Sequence, residues 1–134
     1  MSRSGYSEDG DQWATIKWRG AVAAAMRGKR GQAFLLELVR ALDEMPEKRL
    51  IANDLIRDGQ VCALGCVGAK RGIDLGKLDP EDYGAIAEVF GIARPLVREI
   101  EWMNDDAAPR NDTPERRWQR MRDWAVASLL PVEL

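Results

Sequence analysis

The chain contains no histidine. That absence removes Ser-His-Asp and Cys-His catalysis, histidine general bases and nearly all mixed zinc sites, since each needs an imidazole that titrates or ligates near neutral pH. Cysteine is almost as scarce, with Cys62 and Cys66 alone. A tetrahedral metal site needs two more soft ligands than these supply, and their C-x-x-x-C spacing is not the C-x-x-C of redox pairs. On a helix, thiols four residues apart share a face but have difficulty reaching disulfide geometry. Both therefore read as small buried hydrophobes. Long apolar runs are missing too. The densest, Ala21 to Met26, falls far short of the roughly 20 residues of a membrane span. The first dozen residues are polar and acidic and show no targeting pattern, so the expectation is a cytoplasmic protein with reduced thiols and no membrane partner.

What is present is one domain's length, 134 residues with 46% apolar and 31% charged side chains, enough for a single core. The net charge of −2 hides a segregated layout. Residues 16–31 carry Lys17, Arg19, Arg27, Lys29 and Arg30 and no acid. Residues 74–106 carry nine acids against Lys77, Arg94 and Arg98. Such asymmetry predicts either oriented basic and acidic surfaces or helices that complement one another within a bundle.

Apolar periodicity and helix signals predict a mainly α domain over residues 12–131, behind a loose lead-in over 1–11. Five or six helices are expected. The first spans about Asp11–Met26 and the second about Gln32–Met45, where Leu35, Leu38, Val39 and Leu42 have the i, i+3, i+4, i+7 spacing of a buried face. Between them Arg27-Gly28-Lys29-Arg30-Gly31 reads as a turn. Residues 48–62 allow a short β-hairpin turning at Asp58-Gly59. Asp79-Pro80-Glu81-Asp82 places a cap, a proline and acids at a helix start, with Gly91 at that helix's end. A helix follows over about Arg94–Met103. Thr113-Pro114-Glu115 starts the last, with Trp118, Met121, Ala125 and Leu129 facing inward. No internal repeat is visible.

VCALGCVGAKRG, residues 61–72, holds both cysteines and three of the twelve glycines. Gly65, Gly68 and Gly72 do not fit the G-x-x-x-x-G-K-[ST] phosphate loop, and no Ser or Thr follows Lys70. Glycines inside a helix cost roughly 0.5–1 kcal/mol each relative to alanine, so the stretch is expected to be close-packed, its small residues admitting another helix. Paired carboxylates among Glu99, Glu101, Asp105 and Asp106 would serve acid–base chemistry, but solvated acids near a helix end are the favoured reading. No catalytic, metal or cofactor site is assigned.

Two binding patterns remain. Residues 84–103 have helix-turn-helix spacing: Ala87 and Gly91 lie four apart, with Ile86, Phe90, Ile92, Val97 and Ile100 on apolar positions. In such a unit Arg94 and Arg98 would face the major groove, whereas Glu99 and Glu101 would repel phosphates. The same spacing also arises in helical corners. The second pattern is the basic residues Lys17, Arg19, Arg27, Lys29 and Arg30, with Arg116, Arg117, Arg120 and Arg122 near the C-terminus. Trp13, Trp18, Trp118 and Trp124 are interleaved with them, as in stacking surfaces for single-stranded nucleic acid, in small cores, or at protein-binding hot spots.

Several segments together carry a resemblance: SerGlyTyrSer at 4–7, TrpArgGlyAlaVal at 18–22, ArgGlyLysArgGlyGlnAlaPhe at 27–34, LysArgLeuIleAla at 48–52, ValCysAlaLeuGly at 61–65, LeuAspProGluAsp at 78–82 and ThrProGluArgArgTrp at 113–118. Over nearly the whole chain this resembles a family of small phage and prophage proteins with no assigned activity. More distantly, the CysAlaLeuGly helix with Ile100–Asp105 and the Thr-Pro-Glu helix is similar to an uncharacterised bacterial domain family, which treats 93–105 as a structural helix. Neither resemblance brings a catalytic residue. Together they imply a phage accessory product acting in the host cytoplasm. The expectation is a non-enzymatic protein that binds a host or phage macromolecule, a protein first and nucleic acid second. Inhibition of a host defence or nuclease complex is one form of this. A helix-turn-helix DNA-binding regulator is the alternative, and a virion component a third possibility. The oligomeric state is left open.

Overall fold

The Leu35, Leu38, Leu42 stripe lies on the helix around which much of the domain is laid. In the computed structural model, which describes residues 12–131 and of Gln12 only the backbone, the described residues form six α-helices and one two-stranded sheet. The helices are α1 (Gln12–Arg27), α2 (Lys29–Glu44), α3 (Ala63–Arg71), α4 (Tyr83–Phe90), α5 (Arg94–Asp105) and α6 (Pro114–Ser128). Strands β1 (Ile56–Arg57) and β2 (Gln60–Val61) precede α3, and a single 3-10 turn, Leu75–Lys77, follows it. The mainly α expectation, with a hairpin near 48–62, is met. The expected lead-in over 1–11 lies outside the described residues. α2 packs on α1, α3 and α6, and α5 packs on α1, α3, α4 and α6. No helix among the described residues is long and apolar enough to cross a membrane.

The hairpin follows from its turn chemistry. Asp58 and Gly59 have φ of 53° and 77°, the two positive values that a type I′ turn requires, and Ile56 pairs with Val61 antiparallel. Two boundaries differ from the sequence reading. Helix α2 begins at Lys29 rather than about Gln32, so the turn after α1 narrows to Gly28. The chain can reverse so tightly because Gly31 lies against the end of α1, where a Cβ would overlap the Ala25 carbonyl oxygen. Helix α4 begins at Tyr83, with the Asp82 carboxylate accepting from the Ala85 amide at 3.0 Å. Asp79 caps only the preceding turn, accepting from the Glu81 amide at 2.9 Å. Gly91 ends α4 with φ 72°, and the Thr113 hydroxyl caps α6, both as read.

The 61–72 stretch is the domain's close-packed centre. Ala63 to Gly68 are all buried. At Gly68 another helix does approach, through Phe90 at the end of α4, whereas at Gly65 the neighbour is the chain leading into β1. A Cβ at Gly65 would overlap the Leu55 carbonyl oxygen, and one at Gly68 would sit 2.6 Å from Leu75 Cδ2 and 3.1 Å from Phe90 Cζ. The bend at Leu55, the 3-10 turn and the end of α4 thus occupy the space the glycines leave. Cys62 is the N-cap of α3 rather than a residue within it, its sulfur accepting from the Gly65 amide at 3.4 Å. Neither cysteine is in a disulfide, and both are buried. Burial, reinforced by the neighbouring Cys62, pushes the Cys66 thiol up to about 12. At the far end of α3, Arg71 forks onto Glu37 at 2.6 and 2.8 Å, reaches the Phe90 carbonyl at 3.1 Å and covers the edge-to-face Phe34–Phe90 pair.

Gly65→Leu is therefore expected to disrupt the fold. Gly65→Ala, which adds one methyl against backbone, should lower stability by about 1–3 kcal/mol in urea denaturation. Since the thiolate is the reacting form, the native protein at pH 8 should leave both cysteines unmodified by DTNB, and both should react once it is unfolded in guanidinium.

Candidate interaction surface

Helices α1 and α2 meet at a basic corner. α1 runs along the outside of the domain, with Val22 buried and Trp18, Ala25 and Met26 half-buried on its inner side. At 100° per residue the opposite line carries Trp13, Ile16, Lys17, Gly20, Ala24 and Arg27. All six are exposed, Trp13 at 63% and Ile16 at 54%. Lys17 Nζ stands 6.0 Å from the centre of the Trp13 ring. Arg19, Lys29 and Arg30 are exposed as well. The corner is fixed from within by Gln32, whose Nε2 donates to the carbonyls of Met26 at 2.7 Å and Ser128 at 3.0 Å. Its Oε1 accepts from the Leu130 amide at 2.8 Å. That one side chain ties together the end of α1, the start of α2 and the end of α6.

The electrostatics separate this corner from the rest. Elsewhere cations meet acids: Arg49–Glu47, Arg57–Asp54, Lys70–Glu44, Arg71–Glu37, Lys77–Asp74, Arg122–Asp43, and Arg117 and Arg120 with Asp112. Lys17, Arg19, Arg27, Lys29 and Arg30 have no ion pair among the described residues. Arg40, Lys48, Arg94, Arg110 and Arg116 lack one too, but stand on five different segments. Lys29 and Arg30 also occupy the first turn of α2, which has no acid and no side-chain cap. Cations there oppose the positive end of the helix dipole, an effect of roughly 0.3–1 kcal/mol each at an exposed site.

The other basic residues singled out in the sequence divide. Arg116 is exposed, donating to the Asn111 carbonyl. Arg117 and Arg120 are not available to a partner as expected; their side chains are only 13% and 18% exposed. Arg117 donates to the Asn104 and Leu50 carbonyls, Arg120 to those of Met103 and Asn104, and both pair with Asp112. The helix-turn-helix expectation needs a similar correction. Ile86, Phe90, Ile92, Val97 and Ile100 are buried as the pattern requires, but α1 lies against α5, the helix that would read the groove. The Arg98 guanidinium is stacked 4.2 Å from the Trp18 ring centre and 5.4 Å from that of Tyr83. Only Arg94 of the two arginines is exposed. Nor do the tryptophans form one surface. Trp118 is buried with Nε1 on the Leu42 carbonyl at 3.0 Å, Trp18 and Trp124 are half-buried, and Trp13 is exposed.

The solvated-acid reading fails at Glu101, which is fully buried, as is Asn104. The helical period explains both, because Val97, Ile100, Glu101 and Asn104 share the inner face of α5. Asn104 Oδ1 accepts from the Ala63 amide at 3.1 Å, and its Nδ2 donates to the Ile51 carbonyl at 2.9 Å and to Asp105 Oδ1 at 2.7 Å. Sequence reasoning missed this role, since an Asn before two Asp residues looks like turn chemistry. It also missed that Gly20 belongs to the corner, although a helical projection of α1 was enough to place it there.

No protein family, curated protein or solved structure matches the chain.

Burial raises the Asp112 pKa, but the hydrogen bond from Arg120 and the fields of Arg120 and Arg117 outweigh it and hold the carboxyl below its ordinary value. The hydrogen bond from Arg71 likewise lowers Glu37 against its partial burial. A carboxyl depressed in the folded state stabilises the fold above its unfolded pKa, and that contribution is lost as pH falls through the folded one. Stability should thus be level above about pH 5 and decline below about pH 4. Asp112 is 8% exposed, so Asp112→Asn, which leaves two arginines without their anion, should cost about 3 kcal/mol at neutral pH. The gap from the parent should narrow at about pH 3, where the carboxyl of the unfolded parent takes up a proton and folding no longer gains the full contribution of the ion pair. Urea denaturation at the two pH values checks it.

Proposed function

We propose that this chain is a non-enzymatic accessory protein of phage origin that binds an acidic host or phage macromolecule through the α1–α2 corner, in the cytoplasm of the host. Inhibition of a host defence or nuclease complex is one form such binding takes. The observation that carries this reading is the group of exposed cations at the corner, which have no ion pair among the described residues, where eight other cations are paired with acids. Unpaired like charges repel one another and raise the energy of the free protein. Two of these also work against the dipole of α2. An acidic partner relieves both effects, and the same field would speed its approach. Trp13 and Ile16 supply apolar area beside the charge, with Trp and Arg the residues most often dominant at binding hot spots.

The charge-reversed variant Lys29→Glu/Arg30→Glu tests the reading. Both side chains are exposed, and acids in the first turn of α2 favour the helix, so the variant should fold. Tagged parent protein should retain a protein or nucleic acid from undigested bacterial lysate, and the variant should lose it. Equal retention by the two proteins, or none above background by the parent, rejects the proposal.

A further inference from the structure

The composition of the corner narrows the chemistry of its partner. We infer that the outer face of α1, with the start of α2, binds single-stranded nucleic acid, with Trp13 as the base-stacking platform and Lys17, Arg27, Lys29 and Arg30 neutralising phosphates. The inference rests on the corner being the binding surface and goes on to name what binds there.

Three features argue for a polyphosphate strand over an acidic protein. The charge is of one sign, with no acid from residue 16 to residue 31. A protein partner brings both signs and is commonly met by both, whereas a phosphate backbone presents only negative charge. Next, the most exposed aromatic ring carries a cation beside it, Lys17 over Trp13 at 6.0 Å. A stacking face next to a phosphate-neutralising group is how sequence-tolerant single-strand sites are built. Finally, the face between Trp13 and Arg27, about 21 Å long at 1.5 Å per residue, is low. A Cβ added at Gly20 would meet nothing within 4 Å, and Ala21 and Ala24 are exposed. A sugar-phosphate chain can therefore lie close along the helix, and Ile16 offers apolar contact next to the stacked base. A second copy of the chain is disfavoured as occupant, because it would bring the same cations against these.

Stacking also selects single strands, since a base held in a duplex does not present its face to an indole. This surface is separate from the helix-turn-helix segment, whose second helix lies beneath α1.

Fluorescence anisotropy of a labelled oligo-dT of about 20 nucleotides, titrated with the full chain, tests it. Four neutralised phosphates give a log K against log salt slope of about −2.8, hence about a fiftyfold loss of affinity between roughly 50 and 200 mM salt. Trp13→Ala should weaken binding about 5- to 100-fold with the slope unchanged, and Trp13→Phe should recover part of it. Lys29→Ala/Arg30→Ala should make the slope shallower by about 1.4. Trp13, Lys29 and Arg30 are exposed, and matching thermal melts establish that the variants remain folded. No binding at about 50 mM salt, equal affinity for a duplex of the same length or for polyglutamate, or no effect of Trp13→Ala overturns the inference. Retention of a partner from nuclease-digested lysate alongside a negative oligonucleotide titration would leave the corner as a protein-binding surface and reject only the nucleic-acid assignment.

Discussion

The fold depends on the satisfaction of one buried polar cluster. Residues 46–62 cross the domain with little regular secondary structure, so their backbone groups lack the partners a helix would supply, and a buried group without a partner costs about as much as a lost hydrogen bond. The Asn104 amide supplies the Ile51 carbonyl and the Ala63 amide together. Arg117 supplies the Leu50 carbonyl, and the Pro114 carbonyl accepts from the Leu50 amide. Asp112 then holds Arg117 and Arg120 in place. Helices α3, α5 and α6 are thereby joined through a segment that satisfies only part of its own backbone.

With that centre held, the outer parts can be spent on a surface. α1 is attached by Val22, by Trp18 stacked on Arg98, and by Gln32 at its end. Trp13, Ile16, Lys17, Gly20, Ala24 and Arg27 on its other side are exposed. Over the rest of the chain most arginines and lysines are tied to acids or carbonyls, which fixes them as parts of the fold. Among the described residues, the α1–α2 corner is where cations gather without either, and there the proposed interaction belongs.

Much of this was legible beforehand, for local reasons. The α2 stripe, the Thr113-Pro114 start of α6, the Gly91 end of α4 and the Asp58-Gly59 turn are written in spacings of a few residues, and each appeared in place. The absence of histidine bore on chemistry without reference to any fold. The misreadings share a cause. Asp79 and Asp82 both carry capping chemistry three residues apart, and the sequence does not say which of them the helix uses. Arg117 and Arg120 look like Arg116 in sequence, yet their inward side follows from the rotation of α6 against α2 and α5. Glu101 and Asn104 carry no local mark of burial, because that depends on what covers α5.

The sequence by itself thus determined the helical class, most of the caps and turns, and the segregation of charge, since propensity, periodicity and turn chemistry act over short spans of chain. Only the tertiary structure decided which charges are partners of the fold and which are left for something else. Ion pairing and burial join residues far apart in sequence, Arg122 with Asp43 or Asn104 with Ile51, and such pairings exist only once the helices have packed.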